Sequence, residues 1–189
     1  MFVLFMPLLT YDDAFEPVTN LARSWELNED TSAITFHLRN DIYWQDGVKT
    51  TAYDLKFSYD LVRDPATGFP NTAFWTYYGD AIAVDSFTFR VAMEPHAEYL
   101  DPWRSFAPVP KHVLEGVAPA ELRNHPFCTS RPVGNGPFRF VSRSHGQNWV
   151  FEANENHPEE LGGRPYVDRL VFRYIPEPVT MMTELSTGA

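Results

Sequence analysis

The clearest alternation of apolar and polar positions runs over residues 33–39, where Ile34, Phe36 and Leu38 alternate with Thr35, His37 and Arg39. A period of two is the pattern of a half-buried strand. Asn40-Asp41 ends it, and Ile42-Tyr43-Trp44 begins a second short extended piece. Gln45-Asp46-Gly47 then supplies a turn, because Gly47 is free to take a positive φ. The period changes after that. Ala52, Leu55, Tyr59 and Val62 fall on one helical face. Thr51 and Asp54 stand in front at capping-box spacing, with Asp where Glu or Gln is usual. Asp64-Pro65 stops the helix.

Residues 81–84 and 87–93 read as a β-hairpin around Asp85-Ser86, with Phe87, Phe89, Val91 and Met93 sharing one face. A short helix is expected over 99–106, Pro108-Val109-Pro110 forms a rigid connector, and Lys111 starts another helix. Strands are expected at 138–143, 148–153 and 166–175, and residues 178–189 read as a helix. The opening apolar run, 1–9, has neither a basic segment before it nor a small-residue cleavage site after it. It reads as the interior of a fold. Strands outnumber helices and long connections join them, which predicts a mixed α/β (α+β) layered structure.

Composition narrows the function classes. Lys and Arg total 15 against 25 Asp and Glu, a net charge of −10. That balance opposes a nucleic-acid partner and docking on anionic lipid. Hydrophobic residues make up 44% of the 189, enough to bury a core. No apolar run approaches the roughly 20 residues of a membrane-spanning helix. The single cysteine, Cys128, excludes an internal disulfide and a multi-cysteine zinc site. There is no G-x-S-x-G elbow, and the six histidines include no H-E-x-x-H. His125 with Cys128 has ligand-like spacing, but two residues do not make a metal site. Gly134-Asn135-Gly136 lacks phosphate-loop spacing and precedes a strand. No catalytic residue, metal or cofactor is expected.

The order of motifs is more specific than any of them alone. Leu21-Ala22-Arg23-Ser24-Trp25-Glu26 is followed by Thr35-Phe36-His37-Leu38-Arg39, Trp44-Gln45-Asp46-Gly47, Thr51-Ala52-Tyr53-Asp54 and Phe57-Ser58. Pro108-Val109-Pro110-Lys111-His112 and Val133-Gly134-Asn135-Gly136-Pro137-Phe138 come next, then Gly163-Arg164-Pro165-Tyr166 with Asp168, Phe172 and Ile175-Pro176. In this register the chain resembles the family 5 extracellular solute-binding proteins of bacterial ABC importers, the oligopeptide, dipeptide and nickel group. The likeness covers about residues 8–185. Arg23 stands where the family has an acidic residue, Asn135 where it has Thr, and Val48-Lys49 where it favours x-Pro. All three are read as surface or turn positions.

The resemblance implies an incomplete lobe of the type II periplasmic-binding-protein fold with the family's extra subdomain. Residues 1–107 would form that subdomain and 108–189 a partial first lobe, ending before the crossover to the second. It implies capture of short peptides between two lobes for delivery to the permease subunits of the importer, with no enzymatic step. The implied location is periplasmic or extracellular, with lipid anchoring an open possibility. Nickel chelates, sugars and other solutes are alternative ligands, and a glycoside hydrolase or carbohydrate-binding module is the rival class. Trp25, Phe36, Leu38 and Trp44 are expected in the core. Asn71, Thr72, Trp75, Tyr77 and Tyr78 are the candidate ligand contacts, on an aromatic loop that in peptide-binding relatives points toward the interlobe cleft. The alternative is that these aromatics pack the subdomain's own core.

Overall fold

The computed structural model describes residues 3–70 and 72–188. Its strands and helices follow in the order β1 (Leu9–Tyr11), β2 (Pro17–Thr19), β3 (Ala22–Leu27), β4 (Ala33–Leu38), α1 (Ala52–Arg63), β5 (Tyr78–Asp85), β6 (Thr88–Met93), α2 (Lys111–Leu114), α3 (Pro126–Thr129), β7 (Phe138–Ser144), β8 (Asn148–Ala153), β9 (Arg169–Arg173) and α4 (Pro178–Thr187). They build a mixed α/β structure. β1 and β2 form a small hairpin, a four-stranded antiparallel sheet runs β3-β4-β6-β5, and a three-stranded one runs β7-β8-β9.

Alternation in β4 produces the expected result: Ile34, Phe36 and Leu38 are buried. Phe36 faces Phe89 across the β4–β6 ladder, their rings stacked at 6.5 Å. α1 lays Ala52, Leu55 and Tyr59 against this face. Its first turn explains the Asp in the cap. One Asp54 oxygen accepts from both the amide and the hydroxyl of Thr51, at 2.8 and 3.0 Å, while the other accepts from the Lys111 amide at 2.9 Å. The buried carboxylate thus starts two helices at once. Ser58, one turn on, accepts from the Val109 amide at 2.8 Å, so the proline connector lies along α1.

Trp103 is the centre of the core. Its ring lies 5.0 to 6.1 Å from those of Phe36, Tyr59, Trp75, Tyr78, Phe89 and Phe106. The expected helix over 99–106 is a 3-10 turn, Asp101–Arg104. Pro102 has no N–H to give, and the Trp103 and Ser105 amides reach back three residues instead of four.

Three other expectations change. The 166–175 strand is shorter, because Tyr166 stands fully in solvent and pairing with β8 begins at Arg169. β3 and the β1–β2 hairpin, which no clear alternation announces, are additional strands. Asn135 is not a surface position: it is 2% exposed. The opening segment belongs to the interior as expected, with Leu4, Met6, Leu8 and Leu9 all buried.

The two larger sheets meet where that segment crosses the turn at 134–136. The Leu4 carbonyl accepts from the amides of Asn135 and Gly136, at 3.0 and 2.9 Å. The Asn135 side chain accepts from the Met6 amide at 2.9 Å and donates to Thr50 Oγ1 at 3.3 Å. A Cβ on Gly134 would stand 2.2 Å from the Leu4 carbonyl oxygen, which is why glycine is required there. From the other side Gln45 donates its backbone amide to Gly134. Its side chain pairs with both the N–H and the C=O of Phe140, at 3.0 and 2.7 Å, in the manner of an extra strand residue. Beyond this junction, β9 and α4 carry exposed apolar groups, Val171, Phe172, Val179, Met182 and Leu185 among them.

Removing the Asn135 amide leaves the Met6 N–H unpaired in the interior. We expect Asn135→Ala to lower stability by about 2–4 kcal/mol, and Asn135→Thr, which keeps an oxygen, by about 1–2 kcal/mol. Urea denaturation measures both, and an Asn135→Ala variant within about 0.5 kcal/mol of the parent would refute the junction's role.

Candidate functional site

The aromatic loop divides its residues between core and surface. Asn71 lies outside the described residues. Thr72 and Trp75 bound a 3-10 turn, from which Trp75 turns inward, 6% exposed, with its ring edge-on to Tyr59 at 5.5 Å. Tyr78 opens β5 and is 3% exposed. Its hydroxyl donates to the Tyr99 carbonyl at 2.7 Å. Two of the sequence-derived contacts, Trp75 and Tyr78, are therefore core residues that hold the loop. The surface is left to Thr72 and Tyr77, joined by Phe69 and Phe74, which are 40% and 57% exposed.

Tyr77 does not float free. Its ring stacks on His96 at 4.8 Å, and His96 is held by the Glu94 carbonyl 2.7 Å from Nδ1. A platform of this kind spends little conformational entropy when a partner lands on it. On the same loop and the 3-10 turn, Phe69, Phe74, Trp75, Pro102 and Phe106 line an apolar groove of about 130 Å³. Phe69 and Phe74 belong to the loop that the sequence pattern singled out, whereas Pro102 and Phe106 are wall residues that it did not. Pro102 and Phe106 come from the 3-10 turn region, where a regular helix was expected.

Electrostatics in the core follow burial. Desolvation raises the Tyr59 phenol to about 12, with the Arg63 charge pulling the other way, and it pushes Tyr78 up further still. Outside the core, the exposed Cys128 has its thiol raised by partial desolvation. His125 is a helix cap, its Nδ1 accepting from the Phe127 amide at 3.2 Å. The turn at 134–136 has spent its amides on Leu4, so it is no anion cradle.

A larger cavity, of about 420 Å³, opens at the junction of the sheets. Its wall is formed by residues 41–45 and 47, the turn at 134–136, Arg139, and residues 154 and 156–158. Asp41 on this wall is neutralised by Arg39, whose guanidinium holds the carboxyl below the usual range and is itself shared with Glu160 at 2.9 Å.

Two measurements check this division. Tyr77→Ala should move the urea midpoint by no more than about 0.5 kcal/mol, whereas Trp75→Ala should cost about 3–5 kcal/mol. Equal costs would show that Tyr77 is packed rather than presented. The tyrosines add a pH dependence. A raised phenol pKa stabilises the fold fully below the unfolded value near 10 and is lost as pH rises through the folded one. Stability should fall between pH 10 and about 12, more steeply in the parent than in Tyr59→Phe, and parallel slopes for the two would refute it.

The model of the family described as bacterial extracellular solute-binding proteins, family 5 Middle, matches residues 16–189. A Brucella ovis chain, named provisionally as an ABC transporter peptide-binding protein, is 33% identical over 186 residues, 97% of this chain and 34% of that one. NikZ from Campylobacter jejuni, solved in complex with Ni(L-His), superposes with a TM-score of 0.88 at 27% identity, over 99% of this chain and 36% of that one. The oligopeptide-binding protein AppA of Bacillus subtilis, solved with a nonapeptide, gives a TM-score of 0.91 over 99% of this chain and 37% of that one. Its identity is 24%, so this last likeness speaks for the fold alone. The chain spans about a third of the length of the curated relatives it matches.

Proposed function

This chain belongs to the family 5 bacterial extracellular solute-binding proteins, and on that premise we propose that it takes part in capturing short peptides for an ABC importer. Proteins of this family bind and hand over solutes in the periplasm or outside the cell; they are not known by any chemistry they perform. In this reading residues 1–107 form the extra subdomain and 108–189 part of the first lobe. The partners are a short peptide and the permease subunits, and a lipid anchor would keep the protein at the membrane surface.

The observation that carries the reading is the apolar groove lined by the exposed rings Phe69 and Phe74, with Tyr77 exposed on the same loop, on a chain of this family. Peptide carriers must hold many sequences with one site. They do so by hydrogen-bonding the extended backbone and giving side chains roomy pockets. Thr72 offers a hydroxyl, the rings offer area without charge, and neither selects one side chain sharply. Closure of two lobes around the ligand then converts binding energy into a conformation that the permease recognises.

The test places these 189 residues in a full-length relative, in exchange for the matching third, and examines the natively purified chimera by native mass spectrometry. A ladder of bound masses matching mixed short peptides is expected, thinned by Tyr77→Ala. One discrete bound mass, or a chimera that stays unloaded when offered peptides, would overturn the reading in favour of a single solute such as a metal chelate. The 189 residues alone cannot close around a ligand. Calorimetry with C-terminally amidated peptides should therefore give no dissociation constant as tight as the micromolar range.

A further inference from the structure

We propose that the 420 Å³ cavity at the junction of the two sheets is a binding site for a small carboxylate, recognised by the Arg139 guanidinium and the Trp44 indole N–H. It shares no wall residue with the aromatic groove and does not rest on the peptide reading.

Five side-chain polar atoms among the described residues are buried without a hydrogen-bond partner, and three of them belong to this one wall: Trp44 Nε1, Arg139 Nε and His157 Nδ1. Buried polar groups are nearly always paired, so three orphans around one cavity call for a common partner. Two of the three are obligate donors, which makes that partner an acceptor. Trp44 is 2% exposed and its ring is locked in the core, so its N–H cannot turn away to water.

Charge selects among acceptors. Arg139 makes no ion pair among the described residues; its Nη2 has only the Gln45 carbonyl, at 3.4 Å. The one carboxylate on the wall, Asp41, is bound to Arg39 by two hydrogen bonds, at 3.0 and 2.7 Å. Desolvation, and then the Arg39 charge, lower the His157 pKa, which favours the neutral ring. Arg139 stands opposite Glu152 across the β7–β8 ladder but forms no ion pair with it, so its planar fork, which matches a carboxylate in two bonds, is left without an ionic partner among the described residues. Both donors belong to residues that line this one cavity. The volume lies within the roughly 300–1,000 Å³ of small-molecule sites. Two of the asparagines on the wall already have partners. Asn154 donates to the Gly136 carbonyl and accepts from the Asn156 amide, and Asn135 spans Met6 and Thr50.

The experiment follows the indole N–H resonances of the ¹⁵N-labelled 189-residue chain, with Trp44 assigned by Trp44→Phe, during titration with succinate. Succinamide serves as the uncharged analogue and inorganic phosphate as the tetrahedral anion. Succinate should shift the Trp44 resonance saturably, and succinamide should not. Arg139→Gln should weaken succinate on the order of 30-fold, Arg139→Lys, which keeps the charge and loses the fork, about 5-fold, and Trp44→Phe about 10-fold by calorimetry. Thermal melting confirms that each variant is folded, and Arg139→Lys decides the matter if Arg139→Gln is not. A Trp44 resonance that does not move, equal binding of succinamide, tighter binding of phosphate, or succinate affinity unchanged in the folded Arg139 variants would each overturn the proposal.

Discussion

One carbonyl oxygen organises this molecule. The Leu4 C=O accepts from two successive amides of the turn at 134–136, and nothing wider than glycine fits at Gly134 while it does so. Two buried N–H groups and one C=O satisfy each other in the interior, where leaving any of them unpaired would cost more than most side-chain contacts return. Once that crossing is made, the chain's beginning is fixed under the start of β7. The apolar residues that follow it, Met6, Leu8 and Leu9, are then delivered to the core of the other sheet.

The two motifs that flank the crossing act as its braces. The turn after Trp44 reaches β7 through Gln45, and His112 at the head of α2 lies 2.7 Å from Asp46 on the same turn. Three segments far apart in sequence are therefore tied to one short loop. Asp54 does similar work on the far side by opening α1 and receiving α2 with one carboxylate. The aromatic core around Trp103 lies between these two ties, and it is what holds the exposed rings at its rim in place.

Much of this was legible in the sequence because it depends on local periods and on turn chemistry. β4, the β5–β6 hairpin, the α1 face and the Asp64-Pro65 stop all follow from residues within a few positions of each other. What was not legible depends on long-range partners. β3 buries little beyond Ala22, so its alternation is faint and only pairing with β4 makes it a strand. Asn135 looks like a turn residue until Leu4 and Met6 arrive from the other end of the chain. The loop at 72–78 had the right composition for a site, but composition could not say which rings face inward. Trp75 and Tyr78 do, and Thr72 and Tyr77 do not. The cavity beside Trp44 had no signature at all, since its wall is assembled from four separate stretches.

In the 189-residue chain by itself, the exposed apolar groups of β9 and α4 have a colloidal consequence. Val171 on one face of β9, Phe172 on the other, and Val179 and Leu185 on α4 are exposed apolar groups through which two molecules would gain by touching. What opposes that contact is the net charge of −10, a repulsion reaching only about 8 Å at physiological salt. Solubility is therefore a balance between a short-ranged attraction that ignores ionic strength and a longer-ranged repulsion that does not. Added salt or mild acid weakens only the second of these.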